Sequence, residues 1–107
     1  MTGDYFEPKN SAEYLKFYEE NKAGSILVYL TATWCGPCRA IAPVFARLAA
    51  EHKNIKFVKV DVDLCGELPI VQGVQGVPTF IAYKSEVVVG QFAGANQNAL
   101  NDLVKKL

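Results

Sequence analysis

The spacing of apolar residues changes character along the chain, and each change predicts an element. Tyr5 and Phe6 suit a short opening strand. Asn10-Ser11-Ala12-Glu13 reads as a helix N-cap with glutamate at N3. That helix runs to about Asn21, with Tyr14, Leu15, Phe17 and Tyr18 on its apolar face and Gly24 as its stop. From Ile26 to Leu30 every residue is apolar, as in a strand covered on both faces. A second helix reaches about His52, with Ile41, Val44, Phe45 and Leu48 at helical spacing. Pro43 inside it cannot donate to the carbonyl of Arg39, which predicts a kink. Ile55 to Val60 alternates as a strand, and Gly66 to Gln72 suits a short helix ended by Gly73. Thr79 to Tyr83 and Val87 to Phe92 are strands joined by a tight turn. Asn96 caps a last helix that turns Leu100, Leu103, Val104 and Leu107 toward the sheet.

The order β-α-β-α-β-α-β-β-α predicts an α/β fold, with a mixed central sheet flanked by about four helices. One domain over residues 1–107 is expected. The turn Lys84-Ser85-Glu86-Val87 contains no glycine, so a left-handed residue there would cost about 1–2 kcal/mol.

Composition narrows the function. Half the residues are hydrophobic, and eleven basic residues balance eleven acidic ones. With no basic stripe, a nucleic-acid partner is not expected. An odd count of three cysteines argues against a secreted disulfide framework. The stretch from Met1 to Pro8 has neither a basic start nor an apolar core, so it does not read as a signal peptide. No apolar run approaches membrane-spanning length, and no membrane partner is expected. A reducing, cytoplasmic setting fits these features.

The chemistry centres on Thr33-Trp34-Cys35-Gly36-Pro37-Cys38. If a helix begins at Cys35, the two sulfurs share one face about 5–6 Å apart at Cβ. A small adjustment then closes a disulfide. Such a short ring constrains the unfolded chain little, so reversible chemistry explains it better than stabilisation. Unpaired N–H groups and the positive end of the helix dipole favour ionisation of a thiol at that end. Cys35 should feel this most, while Cys38 lies one turn in and is more shielded. Gly36 and Pro37 shape the turn. The competing reading is zinc, with His52 and Cys65 completing a set. Thirteen residues of helix carry His52 away from Cys38, which disfavours it.

Trp34-Cys35-Gly36-Pro37-Cys38 matches the thioredoxin active-site signature residue for residue. Pro43, Asp61-Val62-Asp63, Gly76-Val77-Pro78-Thr79 and Gly94 follow in the family's order. The chain therefore resembles the thioredoxin family from about its first helix to its C-terminus. The resemblance implies the thioredoxin fold and a protein-disulfide reductase in which Cys35 attacks and Cys38 resolves. It implies a cis Val77–Pro78 bond, and a docking rim of Trp34, Gly76, Val77, Pro78 and Gly94 for disulfide-containing protein substrates. It also implies no bound cofactor, with electrons drawn from NADPH through a separate thioredoxin reductase. A monomer is expected. Gly76 and Gly94 look like places where substrate or backbone comes too close for a Cβ. A disulfide isomerase or oxidase, or a docking module that makes no use of its sulfurs, are the competing classes.

Tyr29 is the sharpest departure. Related thioredoxins carry a buried aspartate at this place, paired with a lysine matching Lys59, and that carboxylate helps take the proton from the second cysteine. A tyrosine, with an ordinary pKa of about 10, is no carboxylate base. Lys59 loses its expected partner, and burial without one would lower its pKa. Either the Tyr29 hydroxyl, water or Lys59 assists Cys38, or Tyr29 only packs. Arg39 reads as a solvated charge, and Asp61 and Asp63 as carboxylates sharing a strand face near its end. Cys65 reads as a spare thiol, and His52 as a favourable charge near a helix C-terminus.

Overall fold

The computed structural model describes residues 4–107, so Met1 to Gly3 of the opening stretch lie outside the described residues. Five strands and four helices follow in the predicted order. They are β1 (Tyr5–Phe6), α1 (Ser11–Asn21), β2 (Ser25–Thr31), α2 (Gly36–Glu51), β3 (Lys56–Asp61), α3 (Pro69–Gln72), β4 (Thr79–Lys84), β5 (Val87–Ala93) and α4 (Gln97–Val104). The strands form one sheet in the order β1-β3-β2-β4-β5. β3 runs parallel to both β1 and β2, while β4 is antiparallel to β2 and to β5.

β2 is central, and its apolar run is explained by what covers it. Ile26 to Leu30 are all 0% exposed. Leu27 and Tyr29 point into one layer with Phe45, Leu48, Phe57, Phe80, Leu100 and Leu103. Ile26, Val28 and Leu30 point into the other with Tyr14, Val58, Val60, Leu68 and Ile81. Alternate residues of one strand thus feed two cores, one beneath α2 and α4, the other beneath α1 and α3. Each large side chain removed from water contributes about 1.5–3 kcal/mol.

Local signals set the helix ends. Asn10 and Asn96 accept the N–H groups of Glu13 and Ala99, each across 2.9 Å. α2 continues through Pro43 as one element. α3 is shorter than its sequence predicts, starting at Pro69 rather than Gly66. The proline keeps Leu68 extended, at φ −68° and ψ 135°, so no helix can enter from upstream. At Gly90 a Cβ would stand 2.7 Å from Leu103 Cδ1, so α4 packs closely on β5 there and a larger residue would make the Leu103 side chain shift.

The β4–β5 turn takes the costly conformation. Ser85 has φ 50° and Glu86 φ 71°, the pair of positive values that a type I′ turn demands. Replacing Ser85-Glu86 by Asn-Gly should therefore stabilise the fold by about 1 kcal/mol, read from urea unfolding. An unchanged or lower midpoint would contradict this account of the turn.

Several buried groups are held protonated. Burial, followed by the Asp61 and Glu13 carboxylates, pushes the Cys65 thiol above its ordinary value of 9.0. Burial likewise raises the hydroxyls of Tyr14, Tyr29 and Tyr83 above 10.0. The unfolded chain releases these protons at lower pH than the folded one does. Their contribution is therefore whole below the ordinary values and is lost as pH climbs through the folded ones. Unfolding midpoints should hold steady up to the ordinary thiol value of 9.0 and decline at more alkaline pH. A midpoint that stays flat to pH about 11 would refute this.

Candidate active site

β2 ends at Thr31, and the chain turns toward α2, with the Cys35 N–H donating to the Ala32 carbonyl across 3.2 Å. Cys35 stays extended, at φ −90° and ψ 111°, and forms the N-cap of α2. Gly36, Pro37 and Cys38 are then its first three helical residues. At an N-cap a side-chain oxygen ordinarily accepts an unpaired N–H of the first turn. Here a sulfur does so: the Cys38 N–H donates to Cys35 Sγ across 3.2 Å. Pro37 fills a position whose N–H would otherwise lack a partner. No acidic side chain stands in the first turn to neutralise the positive helix end. A negative charge on Cys35 is therefore met by a donor and by the dipole.

The two sulfurs are joined, with Cα atoms 5.3 Å apart. Cys38 is the less exposed, as expected, but by little, at 2% against 4% for Cys35. They differ more in position. Cys35 caps the helix and Cys38 lies inside its first turn.

Other elements close around the pair. Cys35 Sγ lies 3.6 Å from the Val77 carbonyl oxygen. The Val77–Pro78 bond is cis, and β4 begins at the next residue, Thr79. The Thr79 hydroxyl donates to the Gly76 carbonyl across 2.7 Å, and the Gly94 N–H donates to the Pro78 carbonyl across 2.8 Å. The backbone half of the glycine expectation needs correction, because a Cβ at Gly76 or Gly94 would meet nothing of this chain within 4 Å. Gly94 has φ +105°, so its requirement is conformational. Arg39, exposed, donates to the Thr33 carbonyl across 3.1 Å and braces the turn.

Trp34 lies outside the core, 66% exposed, with its indole Nε1–H donating to Asp63 Oδ2 across 2.9 Å. β3 stops at Asp61, so Asp63 belongs to the following turn and does not share a strand face with it. Asp61 Oδ1 accepts from the Asp63 N–H across 2.8 Å and so sets that turn. The part Asp63 plays in holding Trp34 had no sequence signal beyond its nearness to a strand end. The described residues contain no cluster of three potential metal ligands. His52 caps the far end of α2, and Cys65 is buried beneath α1 and α3.

The family model for thioredoxin matches residues 7–106. The chain belongs to the thioredoxin family. It is 54% identical over 105 residues to the Dictyostelium discoideum protein numbered thioredoxin-5, covering 96% of this chain and 98% of that one. Against bovine (Bos taurus) thioredoxin it is 40% identical over 89 residues, with 81% and 85% of the two chains covered. The crystal structure of Schistosoma mansoni thioredoxin superposes with a TM-score of 0.88 at 36% identity, covering 99% and 97%. The fold is therefore the thioredoxin fold, a five-stranded mixed sheet with four helices. Thioredoxins are thiol-disulfide oxidoreductases, and this chain carries a Cys35–Cys38 pair able to close. Their chemistry runs on the sulfurs and needs no bound cofactor.

Against other thioredoxins, Tyr29 and Lys59 require a new account. Tyr29 is 0% exposed, and its hydroxyl donates to the Cys38 backbone carbonyl across 2.9 Å. The hydroxyl is thus bonded to the backbone of Cys38. Lys59 is not left alone, as the sequence suggests, because Glu7 Oε1 lies 3.8 Å from its Nζ and its side chain is 30% exposed. The premise of a buried, partnerless ammonium fails. Glu7, Tyr29, Cys38, Lys59 and Asp61 all line one cavity of about 620 Å³ behind the disulfide.

The chain has a single tryptophan, so its fluorescence reports Trp34 alone. Asp63→Ala should lower the anisotropy of that emission and raise KM for a protein disulfide severalfold, with the alkylation rate of Cys35 unchanged. Unchanged anisotropy would show that the Asp63 bond does not hold the indole.

Proposed function

We propose that this chain is a general protein-disulfide reductase in which Cys35 is the nucleophile and Cys38 the resolving thiol. The Cys35 thiolate attacks a substrate disulfide, forming a Cys35–substrate bond and expelling one substrate thiolate. Cys38 then loses its proton, attacks Cys35 Sγ and expels the second. Two electrons pass to the substrate, and Cys35–Cys38 remains oxidised. The observation that carries this reading is the sulfur of Cys35 in the N-cap of α2, accepting the Cys38 N–H. That arrangement favours the anion on one thiol of the pair.

Trp34, Gly76, Val77, Pro78 and Gly94 form the substrate rim. Val77 stands just ahead of β4 with its carbonyl toward Cys35, where an extended segment could pair with its backbone in the manner of an added strand. The open space beside Gly76 favours such an approach. A thioredoxin reductase drawing on NADPH restores the dithiol, and the protein works as a cytoplasmic monomer. No helix among the described residues is long and apolar enough to cross a membrane.

The reading is tested by reductase-coupled insulin reduction. Cys35→Ser should lower the rate by at least about a thousandfold. Cys38→Ser should instead accumulate a stable Cys35–substrate mixed disulfide. Survival of activity in Cys35→Ser, or a trapped adduct on Cys38, would overturn the assignment.

A further inference from the structure

The bond between Tyr29 and the Cys38 carbonyl joins the centre of the sheet to the residue that must make the second attack. Tyr29 sits in β2 opposite Lys59 of β3 and Phe80 of β4, so neither neighbour leaves its backbone room to shift. Its ring stacks on Phe80 at 4.8 Å and 9°, and meets Phe45 of α2 at 4.8 Å and 49°. The side chain is 0% exposed. Phe45 lies seven residues beyond Cys38, about two helical turns further along the same stripe. One side chain thus grips α2 at two points, by ring contact at Phe45 and by hydrogen bond at Cys38. Together these resist both rotation of α2 about its axis and sliding along it.

We propose that Tyr29 is a positioning residue for the resolving step, its hydroxyl holding Cys38 so that the Cys38 sulfur meets Cys35 Sγ. An intramolecular attack depends steeply on such placement. In this step the Cys38 S–H bond breaks, the Cys38–Cys35 bond forms, and the Cys35–substrate bond breaks as the substrate thiolate leaves. The proton does not go to Tyr29, whose hydroxyl stays protonated and directed at the carbonyl. It passes to solvent through the cavity that Cys38 lines. Glu7, Lys9, Arg39, Lys59 and Asp61 are the charged groups facing that cavity.

The proposal rests on Cys38 being the resolving thiol, and its test separates the two claims. The chromogenic disulfide dithiobis(nitrobenzoate), mixed with the reduced full chain in a stopped-flow instrument, releases one thionitrobenzoate when Cys35 attacks and a second when Cys38 resolves. Tyr29→Phe keeps the ring and removes the hydroxyl. The first release should stay within about twofold of wild type, and the second should slow about five- to tenfold. An unchanged second release, or equal slowing of both, would overturn the proposal. Failure of the wild-type chain to release a second equivalent would sink the resolving role itself. Should Tyr29→Phe not fold, the wild-type chain decides by NMR. A Tyr29 hydroxyl proton protected from exchange in both the oxidised and reduced forms supports the proposal, and its loss on reduction overturns it.

Discussion

The hydrogen bond from the Cys38 N–H to Cys35 Sγ is the contact on which the rest of the site depends. It fixes where α2 begins, and it places one sulfur rather than the other at the positive end of a sixteen-residue helix. The preceding strand is buried on both faces and supplies a rigid origin for the turn. α2 is in turn held to the sheet by Ile41, Phe45 and Leu48. The core matters to the chemistry because it stops the helix from moving away from the sulfur that caps it. A thiol with the same neighbours on a loose loop would have no fixed donors to meet its charge.

Much of this was legible in the sequence. The apolar run from Ile26 to Leu30, the two asparagine caps and the helical spacing of Ile41, Phe45 and Leu48 each act through local physics, so the succession of strands and helices along the chain followed from them, while the order of strands within the sheet did not. The Cys35–Cys38 spacing was equally readable, because a helix start converts sequence distance into proximity. What was not legible depended on contacts between segments far apart in the chain. Asp63 reaches Trp34 across 29 positions, and Glu7 reaches Lys59 across the β1–β3 junction. Neither pairing leaves a periodic trace. The shortness of α3 has a local reason, since Pro69 disfavours a helical Leu68 and outweighs the helix-compatible residues before it. The absence of glycine from the Ser85-Glu86 turn is plain in the sequence, but only the structure shows that both residues carry positive φ.

Tyr29 shows how a core can absorb a polar departure. A buried hydroxyl must find a partner, and the backbone of the next helix provides one at 2.9 Å. The ring adds aromatic area against Phe45 and Phe80 where a carboxylate would have needed a compensating charge. Lys59, its side chain 30% exposed, pairs with Glu7 across 3.8 Å, and both line the cavity. That ion pair stands where water can screen it.

Cys65 is the quiet member of the three. It is 0% exposed, packed among Tyr14, Val58 and Leu68, and its burial keeps the sulfur neutral. A thiol reagent that meets Cys35 beside the open space at Gly76 finds Cys65 enclosed in the core while the fold is intact. The third sulfhydryl becomes countable only when the chain opens, so thiol stoichiometry doubles as a built-in gauge of structural integrity.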